Sequence, residues 1–97
     1  MKLRFTPRAV QDLADIAAYI HEQNPPAALR VRSAILESLQ NLVLYPHIGR
    51  RQTVEGVRKL VTRRYPYLVY YTIDDVADEI IILTIQHPAR DQPHSDA

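Results

Sequence analysis

The stretch RRYPYLVYYTID, residues 63–74, decides how this chain folds. After Pro66 its side chains alternate as a strand requires: Tyr67, Val69, Tyr71 and Ile73 share one face, and Leu68, Tyr70 and Thr72 share the other. Four tyrosines fall within seven residues, and both faces are rich in apolar surface. Such a strand needs a cover on each side. At about 1.5 to 3 kcal/mol per large side chain, burying one face is worth roughly 6 to 12 kcal/mol before association costs are taken off. The helices of this chain are sufficient for one face. The face of Tyr67, Val69, Tyr71 and Ile73 is therefore expected to be bare and to bind a partner. The competing reading has a loop or the C-terminal tail fold over it.

Downstream, DDVAD is turn material and EIIILTIQ, residues 79–86, reads as the neighbouring strand. Upstream, VRKLV, residues 57–61, supplies a third strand across the turn TRRYP. Earlier in the chain the apolar period changes from two to between three and four. Val10, Leu13, Ile16, Ala17 and Ile20 mark a helix over about residues 7–22, with Thr6 as N-cap and Pro7 at the first helical position. QNPPAA repeats the device: Asn24 caps, Pro25 and Pro26 enter the first turn, and a second stripe runs through Ala28, Ile35, Leu39 and Leu42 until Pro46 ends it. The two helices should form an antiparallel hairpin. At the start, KLRF alternates as an edge strand does. The expected fold is α+β, in the order β-α-α-β-β-β: a small, mainly antiparallel sheet on a helical hairpin. All 97 residues are read as one domain.

The composition, 46% hydrophobic and 24% charged, is that of a globular protein. With no cysteine there is no disulfide framework and no thiol chemistry. The opening residues hold no apolar signal core, and IIIL is too short to span a bilayer, so a cytoplasmic location without a membrane role is expected. The net charge of +1 conceals a segregation. Arg50, Arg51, Arg58, Lys59, Arg63 and Arg64 lie in one segment with a single acid, Glu55, leaving it at +5. Such a field favours an anionic partner, whether a protein surface or nucleic acid. Asp12, Asp15 and Glu22 fit the outer polar face of the first helix, and Asp74, Asp75 and Asp78 fit a turn. No histidine has metal-ligand spacing, so neither a metal nor another cofactor is expected.

Taken together, FTPRAVQDLADIAAYI, LYPHIGR, VRKLVTRRYPYLVYYTI and IIILTIQHPARD resemble the RelE/ParE superfamily of toxins from type II toxin–antitoxin pairs, and its ParE branch most of all. The resemblance implies the β-α-α-β-β-β fold and a complex with a ParD-like antitoxin, for which Tyr67, Val69, Tyr71 and Ile73 are the candidate contacts. It also implies growth inhibition through DNA gyrase, with Arg50, Arg51, Arg58, Lys59, Arg63, Arg64 and Arg90 as candidate target contacts. The alternative is the chemistry of the RelE branch, ribosome-dependent cleavage of messenger RNA, for which Arg58, Lys59, His87 and Arg90 would serve. That set is incomplete. Tyr67 stands where the nucleases carry an arginine before the LVY of the middle strand, and no tyrosine follows Tyr71. A further possibility is a chain that has lost its target and survives as a binding module.

Overall fold

The computed structural model describes residues 1–90, and of Arg90 the backbone alone. The chain begins with β1 (Lys2–Phe5), followed by α1 (Pro7–Gln23) and α2 (Pro25–Leu44). A two-residue β2 (Arg50–Arg51) leads to the meander β3 (Val57–Val61), β4 (Leu68–Asp74) and β5 (Glu79–Gln86), and a short 3-10 turn covers Pro88–Arg90. The sheet has the order β1-β5-β4-β3-β2. Its β1–β5 pair is parallel and its other pairs are antiparallel.

Both helices start where the sequence says they should. The Thr6 side chain accepts a hydrogen bond from the Ala9 amide at 3.0 Å and its hydroxyl donates to the Leu83 carbonyl at 2.7 Å. One residue thus caps α1 and fixes it to β5. Asn24 does two jobs as well. Its amide closes α1 on the Ile20 carbonyl, while its side chain accepts from the Ala27 amide to open α2. A one-residue joint of this kind turns the chain back immediately.

The hairpin covers one face of the sheet. Ala9, Val31, Ile35, Leu39 and Leu42 meet Tyr67, Val69, Tyr71, Ile80, Ile82 and Ile85 in the core. A register shift between Tyr70 and Tyr71 lets β5 bulge near Leu83 and Thr84, so that Ile82 and Ile85 are both buried. Asp12 serves that bulge. Its Oδ2 accepts from the Thr84 hydroxyl and from the Ile85 amide at 3.0 Å. Asp12 was expected on an outer polar face, but an amide that the bulge withdraws from the ladder needs an acceptor, and α1 supplies one.

The sheet also corrects the expectation for the middle strand. Tyr67, Val69 and Tyr71 are 8%, 0% and 0% exposed, and Ile73 is half-buried. This is the face on which the hairpin packs, not a bare one. On the other side Leu68 and Tyr70 are buried too. The alternation assigns side chains to faces correctly; it carries no information on which face the helices choose. The expectation that Tyr67, Val69, Tyr71 and Ile73 form an open contact surface thereby loses its premise.

Candidate functional site: a clasped loop and two cationic patches

The loop between α2 and β2 is held by two side chains from the sheet. Register places Arg58 of β3 opposite Tyr71 of β4, on the helix-facing side. The Tyr71 hydroxyl donates to the Pro46 carbonyl at 2.7 Å and accepts from the Gly49 amide at 2.9 Å. Arg58 Nη1 donates to the carbonyls of Gly49 at 2.8 Å and His47 at 3.2 Å. Burial pushes the Tyr71 hydroxyl above its ordinary pKa of 10.0, while the Gly49 amide and the Arg58 charge pull the other way. Gly49 has no substitute here. A Cβ on it would lie 2.5 Å from the Tyr71 oxygen and 2.7 Å from ring carbon Cε1. The YPHIG sequence is thus explained by what it docks on.

Beyond the clasp the chain enters β2, where a loop was expected. Arg50 pairs with Lys59 and Arg51 with Arg58. Like charges directly opposite one another across a ladder are destabilising. Among the described residues neither Arg50 nor Arg51 forms an ion pair; Met1 pairs with Asp78 and Arg4 with Glu79. Arg50 and Arg51 are exposed, Arg58 is spent on the loop carbonyls, and Lys59 lies 6.0 Å from the centre of the Tyr70 ring. Just before β2 the chain exposes Leu44 (69%), Tyr45 (62%) and Ile48 (57%). This exposed apolar stretch next to Arg50 and Arg51 is a candidate contact surface that the sequence reading missed. Its signal was the run LYPHI, too apolar for a loop that simply meets water.

Arg63 and Arg64 belong elsewhere. They sit at the tip of the β3–β4 turn, at the opposite end of β3 from Arg58. Arg63 is four residue steps beyond Lys59, roughly 13 Å of extended chain. Thr62, 3% exposed, fixes this turn: its hydroxyl donates to the Tyr65 carbonyl at 2.6 Å and accepts from the Tyr67 amide at 2.9 Å. Arg64 adopts a positive φ of 65°, a conformation costly to a residue with a Cβ. What the sequence presents as one basic segment is thus two patches.

The nuclease candidates do not assemble. Arg58 and Lys59 are neighbours on a strand and point to opposite faces. His87 follows β5 and meets the Tyr67 ring edge-on, with centroids 5.5 Å apart. Its position is roughly 13 Å along the strands from the Arg58 row and two strand spacings, about 10 Å, across. The His87 Nδ1 accepts a hydrogen bond from the Ala89 amide at 3.0 Å. In the neutral ring Nε2 then carries the proton, so the ring has no second lone pair to offer a substrate hydroxyl. Tyr67, at the position where the nuclease branch carries arginine, is buried. The side chain of Arg90 lies outside the described residues. Among the described residues no group of three or more His, Asp or Glu is placed to hold a metal, and no helix is long and apolar enough to cross a membrane.

Residues 3–92 match the family described as the ParE toxin of the type II toxin–antitoxin system parDE. The chain is 35% identical over 92 residues to the toxin candidate Y4kP of Sinorhizobium fredii, covering 95% of this chain and 93% of that one. With toxin RelE2 of Caulobacter vibrioides it shares 37% identity over 87 residues, 89% of this chain and 93% of the other. Among solved structures, the chromosomal ParDE system of P. aeruginosa superposes with a TM-score of 0.78 at 31% identity, covering 90% of this chain and 95% of that one. The toxin–antitoxin complex RelBE2 of Mycobacterium tuberculosis gives 0.62 at 29% identity, with 89% and 95% covered.

Proposed function

The chain belongs to the ParE toxin family of type II toxin–antitoxin systems, and we propose that it is held inactive by a ParD-like antitoxin and, when free, inhibits growth by acting on DNA gyrase in the cytoplasm. The observation that carries the choice of gyrase over messenger RNA is the dispersal of the nuclease set. Phosphodiester cleavage through a 2′-hydroxyl needs a base and fixed cations converging on one phosphate within hydrogen-bond reach. Here Arg58 is committed to a loop, Lys59 faces the other way, His87 offers no free lone pair, and Tyr67 is in the core. An inhibitor that works by occupying a surface needs no such convergence. The exposed Arg50 and Arg51, with the apolar shoulder of Leu44, Tyr45 and Ile48 beside them, supply a surface of mixed character suited to protein and phosphate together.

The test is expression of the free protein with two readouts from one preparation: supercoiling by purified gyrase and cleavage of messenger RNA during translation. The proposal expects loss of supercoiling with intact messenger RNA, and restoration when antitoxin is added. Cuts at ribosome-bound codons with gyrase unaffected would instead assign the chain to the ribosome-dependent cleavage of the RelE branch.

A further inference from the structure

β2 ends the sheet, and its outer edge differs from an ordinary strand edge. The Gln52 amide donates to the Val57 carbonyl at 3.0 Å, so alternation along the ladder turns the backbone N–H and C=O of Arg51, which pairs with Arg58, away from β3. The outward carbonyl is already occupied. Gln52 Nε2 donates to it at 3.2 Å and to the Arg50 carbonyl at 2.9 Å. The outward N–H meets no acceptor among the described residues. A docking strand needs donors and acceptors in alternation. This edge offers a donor alone.

The side chains add to that bias. Arg50 and Arg51, as neighbours on a strand, project to opposite faces of the sheet, so their guanidiniums flank the edge. Both are exposed, and neither forms an ion pair among the described residues. Each also stands opposite a cation on β3, Arg50 opposite Lys59 and Arg51 opposite Arg58, which costs the fold stability. An outward N–H between two guanidiniums fits a ligand that only accepts, such as a phosphate or a carboxylate.

Two observations favour phosphate. Four cations in two successive rungs, on strands about 4.8 Å apart, spread their field over more length than one carboxylate neutralises, and so suit a polyanion. The exposed Tyr45 and Ile48 lie just before the edge. A duplex would bring phosphates but hide the faces of its bases, leaving that apolar surface in water. A single strand brings phosphates for the donors and a base face for the tyrosine ring.

We infer that the outer edge of β2 is a phosphodiester-binding site for single-stranded DNA, one phosphate held by the Arg51 N–H and the guanidiniums of Arg50 and Arg51, with an adjacent base stacked on Tyr45. The choice of DNA over RNA rests on the gyrase reading; the phosphate site does not.

The experiment is fluorescence anisotropy on the whole chain with four labelled probes: a short single-stranded DNA, its duplex, the RNA of the same sequence, and polyglutamate of equal charge. The single-stranded DNA should bind most tightly. Arg50→Gln and Arg51→Gln should each weaken it by about tenfold, the usual worth of one charge-assisted contact, and each should lower the slope of log affinity against log salt by about 0.7. Their melting temperatures should stand at or above the parental value, since each removes a like-charge pair. Tyr45→Ala should weaken single-stranded DNA by about fivefold or more and leave the duplex unchanged. Arg8→Gln, an exposed arginine on α1, should change nothing. The inference is overturned if polyglutamate, the duplex or the RNA binds more tightly than single-stranded DNA, or if DNA binding survives both Arg50→Gln and Arg51→Gln in folded protein. Gyrase supercoiling, assayed on the same preparation, judges the gyrase reading separately: DNA bound through these arginines with supercoiling intact would sink that reading and keep the site.

Discussion

Replacing Tyr71 with phenylalanine removes one oxygen and leaves the ring, so it isolates the clasp from the core. The ring is fully buried and keeps its apolar neighbours. What is lost is the acceptor for the Gly49 amide and the donor to the Pro46 carbonyl. Gly49 is itself buried, so its amide has no ready access to water. A buried polar group left without a partner costs about 1–3 kcal/mol. The carbonyl retains part of its solvation, so the pair should cost about 2–4 kcal/mol. Against a total stability of roughly 5–15 kcal/mol that is a large fraction. It corresponds to a fall in Tm of roughly 10–30 °C at about 4–8 °C per kcal/mol for a domain of this size. Urea unfolding followed by circular dichroism measures it, with Tyr45→Phe as the control, since Tyr45 is 62% exposed. A Tyr71→Phe midpoint within about 0.5 kcal/mol of the parent, the range of ordinary surface substitutions, would refute the clasp. The same variant, studied below its melting temperature, should lose growth inhibition in proportion as the loop that carries Ile48 and leads into β2 is freed.

Gly49→Ala should destabilise by about 1–3 kcal/mol through the contact with Tyr71, and a double-mutant cycle with Tyr71→Phe should show non-additivity, because both changes act on one contact. Alkaline stability should report the same hydroxyl. Its pKa is raised in the folded chain, so above pH 10.0 the unfolded chain loses its proton first. The stabilisation is therefore complete below that pH and is lost as pH climbs toward the folded value; Tyr71→Phe should show a shallower decline in urea titrations. Asp12→Ala should cost about 1–3 kcal/mol by stranding the Ile85 amide at the bulge, measured by unfolding and by faster hydrogen exchange at that amide. Arg58→Ala should lower Tm by several degrees, about 1–2 kcal/mol for two bonds to carbonyls; a parental Tm would return Arg58 to the pool of free cations.

Local chemistry written in neighbouring residues was legible. Thr6 with Pro7, and Asn24 with Pro25 and Pro26, announce two helix starts, and the structure uses the same residues as caps. The period of two over residues 57–61 and 79–86 matches β3 and β5 residue for residue. What failed to be legible depends on residues far apart in the chain. β2 is two arginines with no alternation to betray a strand; it exists because the clasp delivers them beside β3. Arg58 looks like one cation among six until Pro46–Gly49 is folded against it. The burial of Tyr67, Val69 and Tyr71 was misread because a strand apolar on both sides gives no hint of which side the helices take. Asp12 was read as solvent-facing because the bulge it serves is 72 residues away.

The parallel pairing of β1 with β5 has a consequence in time. β5 lies between β1 and β4, so the first strand made has its place in the sheet only beside the last. During synthesis the helical hairpin can form from local signals and β2, β3 and β4 can follow as a meander. Leu3 and Phe5, however, have no neighbouring strand until residues 79–82 emerge. An interrupted chain that stops in β4 therefore lacks the strand joining its two sheet halves, and it lacks Ile80, Ile82 and Ile85 from its core. In a member of a toxin family, this order of assembly withholds a finished fold from every unfinished copy.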